Sequence, residues 1–330
     1  MKLIIFGLVL TTFTSVYAQE NECLKRIRQE LKTESEINLF NKHQKLQEIF
    51  ELQCSETDFG NSLYSQDAFV FIHEAAHFED LKWDANNMDG IDQANPAKDF
   101  NLYTVNNEHI GNFQSFKNLP KIKDLVRPYL EKEKPTFLKE DSIFMGMHDG
   151  YIGAEDSMAA DIIQGMATEL NGYTHGAVVQ IRVLPKLPNP IRISDGNGGQ
   201  HSMENPYVKL PSQTDGIMYF LYNFNLYLKL LKKDHPQIWK EFYTSYNKEY
   251  LNRLFTPSIE VLKKLNHCNL AKTYEPIRFY VEELNIDDLS ILDDILGKDK
   301  ISSLVCTSEG LKAGLSYLDS KKAISNSCVE

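Results

Sequence analysis

Apolar residues recur at helical spacing from the start of the chain's polar portion. Leu24, Ile27 and Leu31, then Leu39, Leu46, Ile49 and Leu52, alternate with charged residues between Glu20 and Gln53, which predicts amphipathic helices. A denser apolar run follows. About Gln66 to Phe78, with Ser65 placed to cap it, predicts a helix that is apolar nearly all round and therefore buried. Asp80 to Leu119 is rich in Asn, Asp and Gly and reads as a long irregular stretch. A second strong helix is predicted from Ala154 or Glu155 to Tyr173, and the β-branched segment Val178 to Val183 leaves strand and helix both open. Pro185 to Gln213, with Pro188, Pro190 and Asp195-Gly-Asn-Gly-Gly199, reads as a loop. Asp215 to Leu231 predicts an aromatic-rich apolar helix; Asp234 is expected to cap the next helix, and Pro257 to start a third. Helix pairs continue toward the C-terminus, with no internal repeat. The expectation is a mainly α fold with a minor β component, organised as one domain over residues 19–330 in which 215–330 form a helical C-terminal subdomain.

The ends and the composition set the compartment. Met1 to Ala18 reads as a secretory signal peptide: Lys2 is the charged start, Leu3 to Val16 the apolar region, and Val16-Tyr17-Ala18 the small-residue cleavage site. The run is too short and too broken by Thr and Ser for a membrane span, so a secreted or periplasmic protein with no membrane span is expected. All five cysteines (Cys23, Cys54, Cys268, Cys306, Cys328) follow Ala18, and an exported chain permits disulfides; the odd count leaves at least one thiol outside an internal bridge. Proximity favours a Cys23–Cys54 bridge and one among the last three. The formal net charge of −11 becomes −12 when Lys2 is removed, and no Lys/Arg cluster stands out, so nucleic acid is not an expected partner.

The chemistry concentrates in Phe71-Ile72-His73-Glu74-Ala75-Ala76-His77, an H-E-x-x-H pattern. On a helix His73 and His77 stand one turn apart on one face. Two imidazoles so placed can both reach one Zn²⁺ at about 2.0–2.1 Å, and Glu74 beside it can take the proton from a zinc-bound water. Burying three ionisable side chains without partners would cost several kcal/mol, and a metal is the obvious partner. With this motif the helix resembles that of the zincin metallopeptidases, although Glu79 stands where zincins usually carry an apolar residue. The stretch Asp84 to Gly90 looks at first like a calcium loop, but Met88 occupies a position that needs an oxygen ligand.

Catalytic zinc usually has three protein ligands. A third His six residues beyond His77 is absent, since Trp83 stands there, which leaves a distant Glu, Asp or His. Glu169 is the favoured choice because Ile162, Met166, Glu169 and Tyr173 share one helical face that is otherwise apolar. Glu155 on the same face, His148 and His175 stay open as alternatives. The Glu-x-x-x-Tyr spacing of Glu169 and Tyr173 also resembles the third-ligand helix of gluzincin-like families. The resemblance implies a zincin-like helical core, Zn²⁺ as cofactor held by His73, His77 and Glu169, Glu74 as general base, and a protein or peptide substrate. For the oxyanion that peptide hydrolysis develops, Tyr173 and His175 are the candidate donors, with Tyr151 and His148 preceding the helix. The expected activity is that of a secreted zinc metallopeptidase. The alternatives are a catalytically silent zincin-like binding module and a zinc amidohydrolase acting on a cell-wall component.

Overall fold

A computed structural model describes residues 22–44, 46–48, 64–80, 102–111, 113, 118–133, 148–154, 157–183, 191–194, 200–203, 212–264 and 289–300. The signal-peptide reading of residues 1–18, the cysteines Cys54, Cys268, Cys306 and Cys328, the Asp84–Gly90 loop and Glu155 lie outside the described residues, and only the backbone of Cys23 is described. Within them the fold is mainly α with a minor β component, as the periodicity predicts.

Helix α1 (Glu22–Glu30) and α2 (Glu34–Lys42) come first. Thr33 and Glu36 close a capping box at the start of α2: the Glu36 N–H donates to Thr33 Oγ1 at 3.2 Å, and the Thr33 N–H donates to Glu36 Oε2 at 3.2 Å. Glu36 is buried and also accepts from Arg182 at 2.7 Å, which ties α2 to a distant helix. The predicted motif helix is α3 (Tyr64–Asp80), two residues longer at each end than the pattern alone suggests. It is buried on most sides through Phe69, Phe71, Ile72, Ala75 and Ala76, but Val70 is 36% exposed, so one strip faces outward.

The stretch expected to be irregular after Asp80 contains a short antiparallel pair, β1 (Leu102–Tyr103) and β2 (His109–Gly111). Asn107 turns the chain between them at φ 59°, a left-handed backbone that Asn tolerates better than most residues. Helix α4 (Ile122–Glu133) follows, then the turn at 148–154. Arg127 of α4 holds that turn by donating to the carbonyls of Ile152 at 3.1 Å, Gly153 at 2.9 Å and Ala154 at 3.2 Å.

The second predicted strong helix is divided into α5 (Met158–Asp161) and α6 (Ile163–Val183). The β-branched segment 178–183 is helical. Val179 and Val183 are fully buried against α1 and α3, and that packing outweighs their weak intrinsic preference for helix. The proline-rich stretch also holds a hairpin, β3 (Ile191–Ser194) with β4 (Gln200–Met203), paired Ile191 to Met203 through Ser194 to Gln200. Helix α7 (Ser212–Asp234) begins three residues earlier than the pattern predicts, which brings Gln213 into its first turn.

Three expectations about helix starts are corrected. Ser65 does not cap α3 but lies inside it, since Tyr64 is its first residue. Helix α8 (Pro236–Phe242) has His235, not Asp234, at its N-cap, because α7 runs through Asp234 and Pro236 takes the first-turn position that needs no N–H. Pro257 does not start a helix; it lies inside α9 (Ser245–Lys264), which is held on both sides of the proline by buried Leu254, Phe255, Ile259, Val261 and Leu262. Helix α10 (Ser290–Leu296) follows, and residues 298–300 are helical as well.

Helix α6 is the spine. Its pairing with α3 is the most extensive between described elements, and α7 packs along it next. A smaller core joins Leu24, Ile27 and Phe40 to Phe71 and Val183; a larger one runs from Leu102 through α6 and α7 to Leu296. The described helices after residue 215 therefore share one core with the helix that carries Glu169. Within that core Phe224 is fully buried, 5.1 Å ring to ring from Phe255. Phe224→Ala is expected to lose about 3–5 kcal/mol of stability, seen as a lower urea midpoint, by leaving a cavity between α7 and α9.

Candidate metal centre

Helices α3 and α6 meet at Gly172. A Cβ there would stand 3.0 Å from Cε1 and Nε2 of His77 and 3.3 Å from Cδ2 of His73, so both imidazoles lie directly on the glycine's backbone. One turn later Gly176 serves the same end at one remove: a Cβ would overlap the Gln213 amide, which reaches His73 across that gap.

The helical spacing of His73 and His77 brings their Nε2 atoms to 2.9 Å, with Glu169 Oε2 of α6 at 3.8 Å from His73 Nε2 and 3.4 Å from His77 Nε2. These three residues form a group whose ligand atoms lie within 4.8 Å of one another, able to hold a metal ion. Of the alternatives for a third partner, His148 and His175 are not in that group, and Glu155 lies outside the described residues.

The far side of each ring decides which nitrogen carries the proton. His73 Nδ1 stands 3.1 Å from Gln213 Oε1, and an amide oxygen only accepts, so His73 donates from Nδ1. His77 Nδ1 stands 3.0 Å from Thr168 Oγ1, whose own proton goes to Asp80 Oδ2 at 3.0 Å, so His77 donates from Nδ1 as well. With both rings neutral, the two Nε2 lone pairs therefore face one point, beside a buried Glu169 Oε2 that has no hydrogen-bond partner. Two lone pairs and a carboxylate oxygen converging in a low-dielectric interior call for positive charge between them. The titration behaviour agrees. Burial and the neighbouring His77 lower His73; for His77 burial also acts downward, but Glu169, Glu74 and Asp80 outweigh it and raise the ring. Burial pushes Glu169 up, yet the two imidazoles and the Tyr151 hydroxyl hold its carboxyl below the usual value. The donor set of two imidazoles and one carboxylate, with outer partners on both rings, is of a kind that suits zinc.

Glu74 follows His73 on the same helix and is partly exposed. Burial raises its carboxyl, His77 opposes and Glu169 adds to the rise. Tyr173 packs edge-on against His73, centroids 4.4 Å apart at 82°, and its hydroxyl meets that of Tyr151 at 2.8 Å. Tyr151, Tyr173 and Phe220 form one aromatic group beside Glu169, and Gly216 of α7 makes room for the Tyr173 ring. His175 is buried with Nε2 at 3.0 Å from the Tyr103 carbonyl, so its ring nitrogen is engaged with β1. Glu79, the departure from the zincin pattern, pairs with Lys42 of α2 and lies 3.7 Å from His43, and so serves the α2–α3 packing.

Asp80, Thr168, Asn171 and Gln213 were not legible as site residues from sequence, since each gains its meaning from a partner on another element. The one available signal is the polar pair Gln213 and Asp215 ahead of a strongly apolar helix. No protein-family model, curated protein or solved structure matches the chain.

Gly172→Ala is expected to drive both rings off the backbone by a few tenths of an ångström. Zinc affinity, measured by competition with a chromogenic chelator, should fall by roughly tenfold or more, while far-UV circular dichroism stays unchanged because Ala favours the helix.

Proposed function

We propose that the chain is an exported zinc metallopeptidase in which His73, His77 and Glu169 hold the ion and Glu74 is the general base. The observation that supports this best is the convergence of the two Nε2 lone pairs on the unpartnered Glu169 Oε2, with Glu74 one residue from His73. A zinc ion held there would supply Lewis acidity, polarising the scissile carbonyl and making water acidic enough to attack at neutral pH.

The chain's own groups supply the rest. Glu74, raised by burial, is a better proton acceptor than an exposed carboxylate; it takes the proton of the attacking water and delivers it to the leaving amine nitrogen. The Tyr151 hydroxyl steadies Glu169 and pairs with Tyr173, which braces the His73 ring. A tyrosine hydroxyl beside the site is the donor for the developing oxyanion, and Tyr173 is the residue assigned to it, turning its one proton from the Tyr151 oxygen to the oxyanion as the charge develops. His175, the other donor expected from sequence, serves this reading by holding β1 through the Tyr103 carbonyl. Residues 1–18, read as a signal peptide, direct export, and no helix among the described residues is long and apolar enough to cross a membrane.

The test is Glu74→Gln. The variant is expected to bind zinc at the wild-type stoichiometry while hydrolysis of a quenched-fluorescence peptide library falls by about 10²–10⁴-fold. Chelation of the wild type should abolish the activity and added zinc restore it. Full activity in the variant would overturn the mechanism.

A further inference from the structure

We infer that Asp80 is a positioning residue for His77, acting through the Thr168 hydroxyl to set which imidazole nitrogen faces the metal position. The inference rests on the metal-site reading given above.

Asp80 is 1% exposed and lies one turn beyond His77 on α3, yet its carboxylate does not bond the ring. It gathers three donors instead: the Tyr103 N–H on Oδ1 at 3.2 Å, and on Oδ2 the Thr168 hydroxyl at 3.0 Å and the Asn171 amide at 2.9 Å. Burial raises the Asp80 carboxyl to about 7; in its ionised form the group only accepts, so every partner must donate to it. Asn171 and the Tyr103 N–H can do nothing else. Thr168 has a single proton, and once that proton is committed to Asp80 its oxygen presents only lone pairs to His77 Nδ1 at 3.0 Å. His77 must then carry a hydrogen on Nδ1, which in the neutral ring leaves Nε2 bare toward His73 and Glu169. The direction of the chain runs inward from the carboxylate, and a hydroxyl alone, free to rotate, would not impose it.

The same carboxylate fastens three elements. Asn171 donates both to Asp80 and to the Tyr103 carbonyl at 2.9 Å, and His175 lies on that carbonyl too, so β1 is clamped to both α3 and α6. A purely structural Asp80 would need the Tyr103 and Asn171 bonds only. The Thr168 bond is the one that reaches a ligand, and Thr168 immediately precedes Glu169 on α6. His73 reaches the same tautomer by a different route, the amide oxygen of Gln213.

The experiment compares Thr168→Val, which removes the hydroxyl at similar volume, with Thr168→Ser, which keeps it. Zinc affinity is expected to fall about 10–100-fold in T168V and to stay near wild type in T168S. Asp80→Asn should also weaken zinc binding, and the D80N/T168V double variant should be no weaker than T168V alone, because both act on one proton. A readout independent of metal accompanies these: the His77 Nδ1–H resonance in imidazole-labelled, metal-free protein, expected to be protected from exchange in wild type and T168S and lost in T168V. Additive losses in the double variant, or a T168V protein with wild-type zinc affinity and an unchanged Nδ1–H resonance, would overturn the inference. A wild-type chain that takes up no zinc would sink the metal reading by itself. In that case the Nδ1–H resonance still decides the relay: its loss in T168V supports the Asp80–Thr168 control of the ring, and its persistence overturns it.

Discussion

The crossing of α3 over α6 at Gly172 is the contact on which the rest of the structure depends. With no Cβ at that position, two imidazoles rest on helix backbone and become buried, and burial makes every one of their nitrogens a liability until it has a partner. The outer nitrogens find theirs in Gln213 and Thr168. The inner two face each other and Glu169. The apolar side of α3 holds the crossing shut, since Phe69, Phe71, Ile72 and Ala75 sink into the core built with α1, α2, Val179 and Val183.

Helix α6 carries this arrangement because it is apolar and polar on the same buried surface. Met166, Ala167, Leu170 and Ala177 belong to the larger core, while Thr168, Asn171, Thr174 and His175 interleave with them and are also buried. Each of these four polar side chains has a specific partner. Thr168 and Asn171 reach Asp80, Thr174 bonds the Leu170 carbonyl and Ser258 of α9 at 2.8 Å, and His175 reaches Tyr103. Such a helix cannot slide or rotate without breaking several bonds at once, which keeps Glu169 aimed at the imidazoles.

How much of this can be read from the chain follows the range of the interactions. The H-E-x-x-H spacing is local, and a helix converts it to a shared face whatever surrounds it. Glu169 was legible for a similar reason: a lone carboxylate on an apolar stripe with Met166 and Tyr173 stands out by period alone. The mainly α class was legible too, from long periodic segments. Boundaries were harder. Val178 to Val183 has strand-like composition but is helical because α1 and α3 bury it, and Pro257 sits inside α9 because packing on both sides outweighs the lost hydrogen bond. The two hairpins are only two to four residues per strand, too short for alternation to register. Gln213, Thr168 and Asp80 carry no local sign of their roles.

That last group bears on what the motif itself means. Four residues of spacing bring two rings together, but they leave open which nitrogen each ring turns inward. The answer comes from groups 140 and 91 positions away, the Gln213 amide and the Thr168 hydroxyl. With a hydrogen-bond donor in place of either acceptor, the same helix would present a protonated Nε2 and repel a cation rather than bind one. An H-E-x-x-H helix is therefore able to hold a metal ion only in partnership, and here the partners stand on α6 and α7, in residues that look like ordinary polar exceptions in apolar helices.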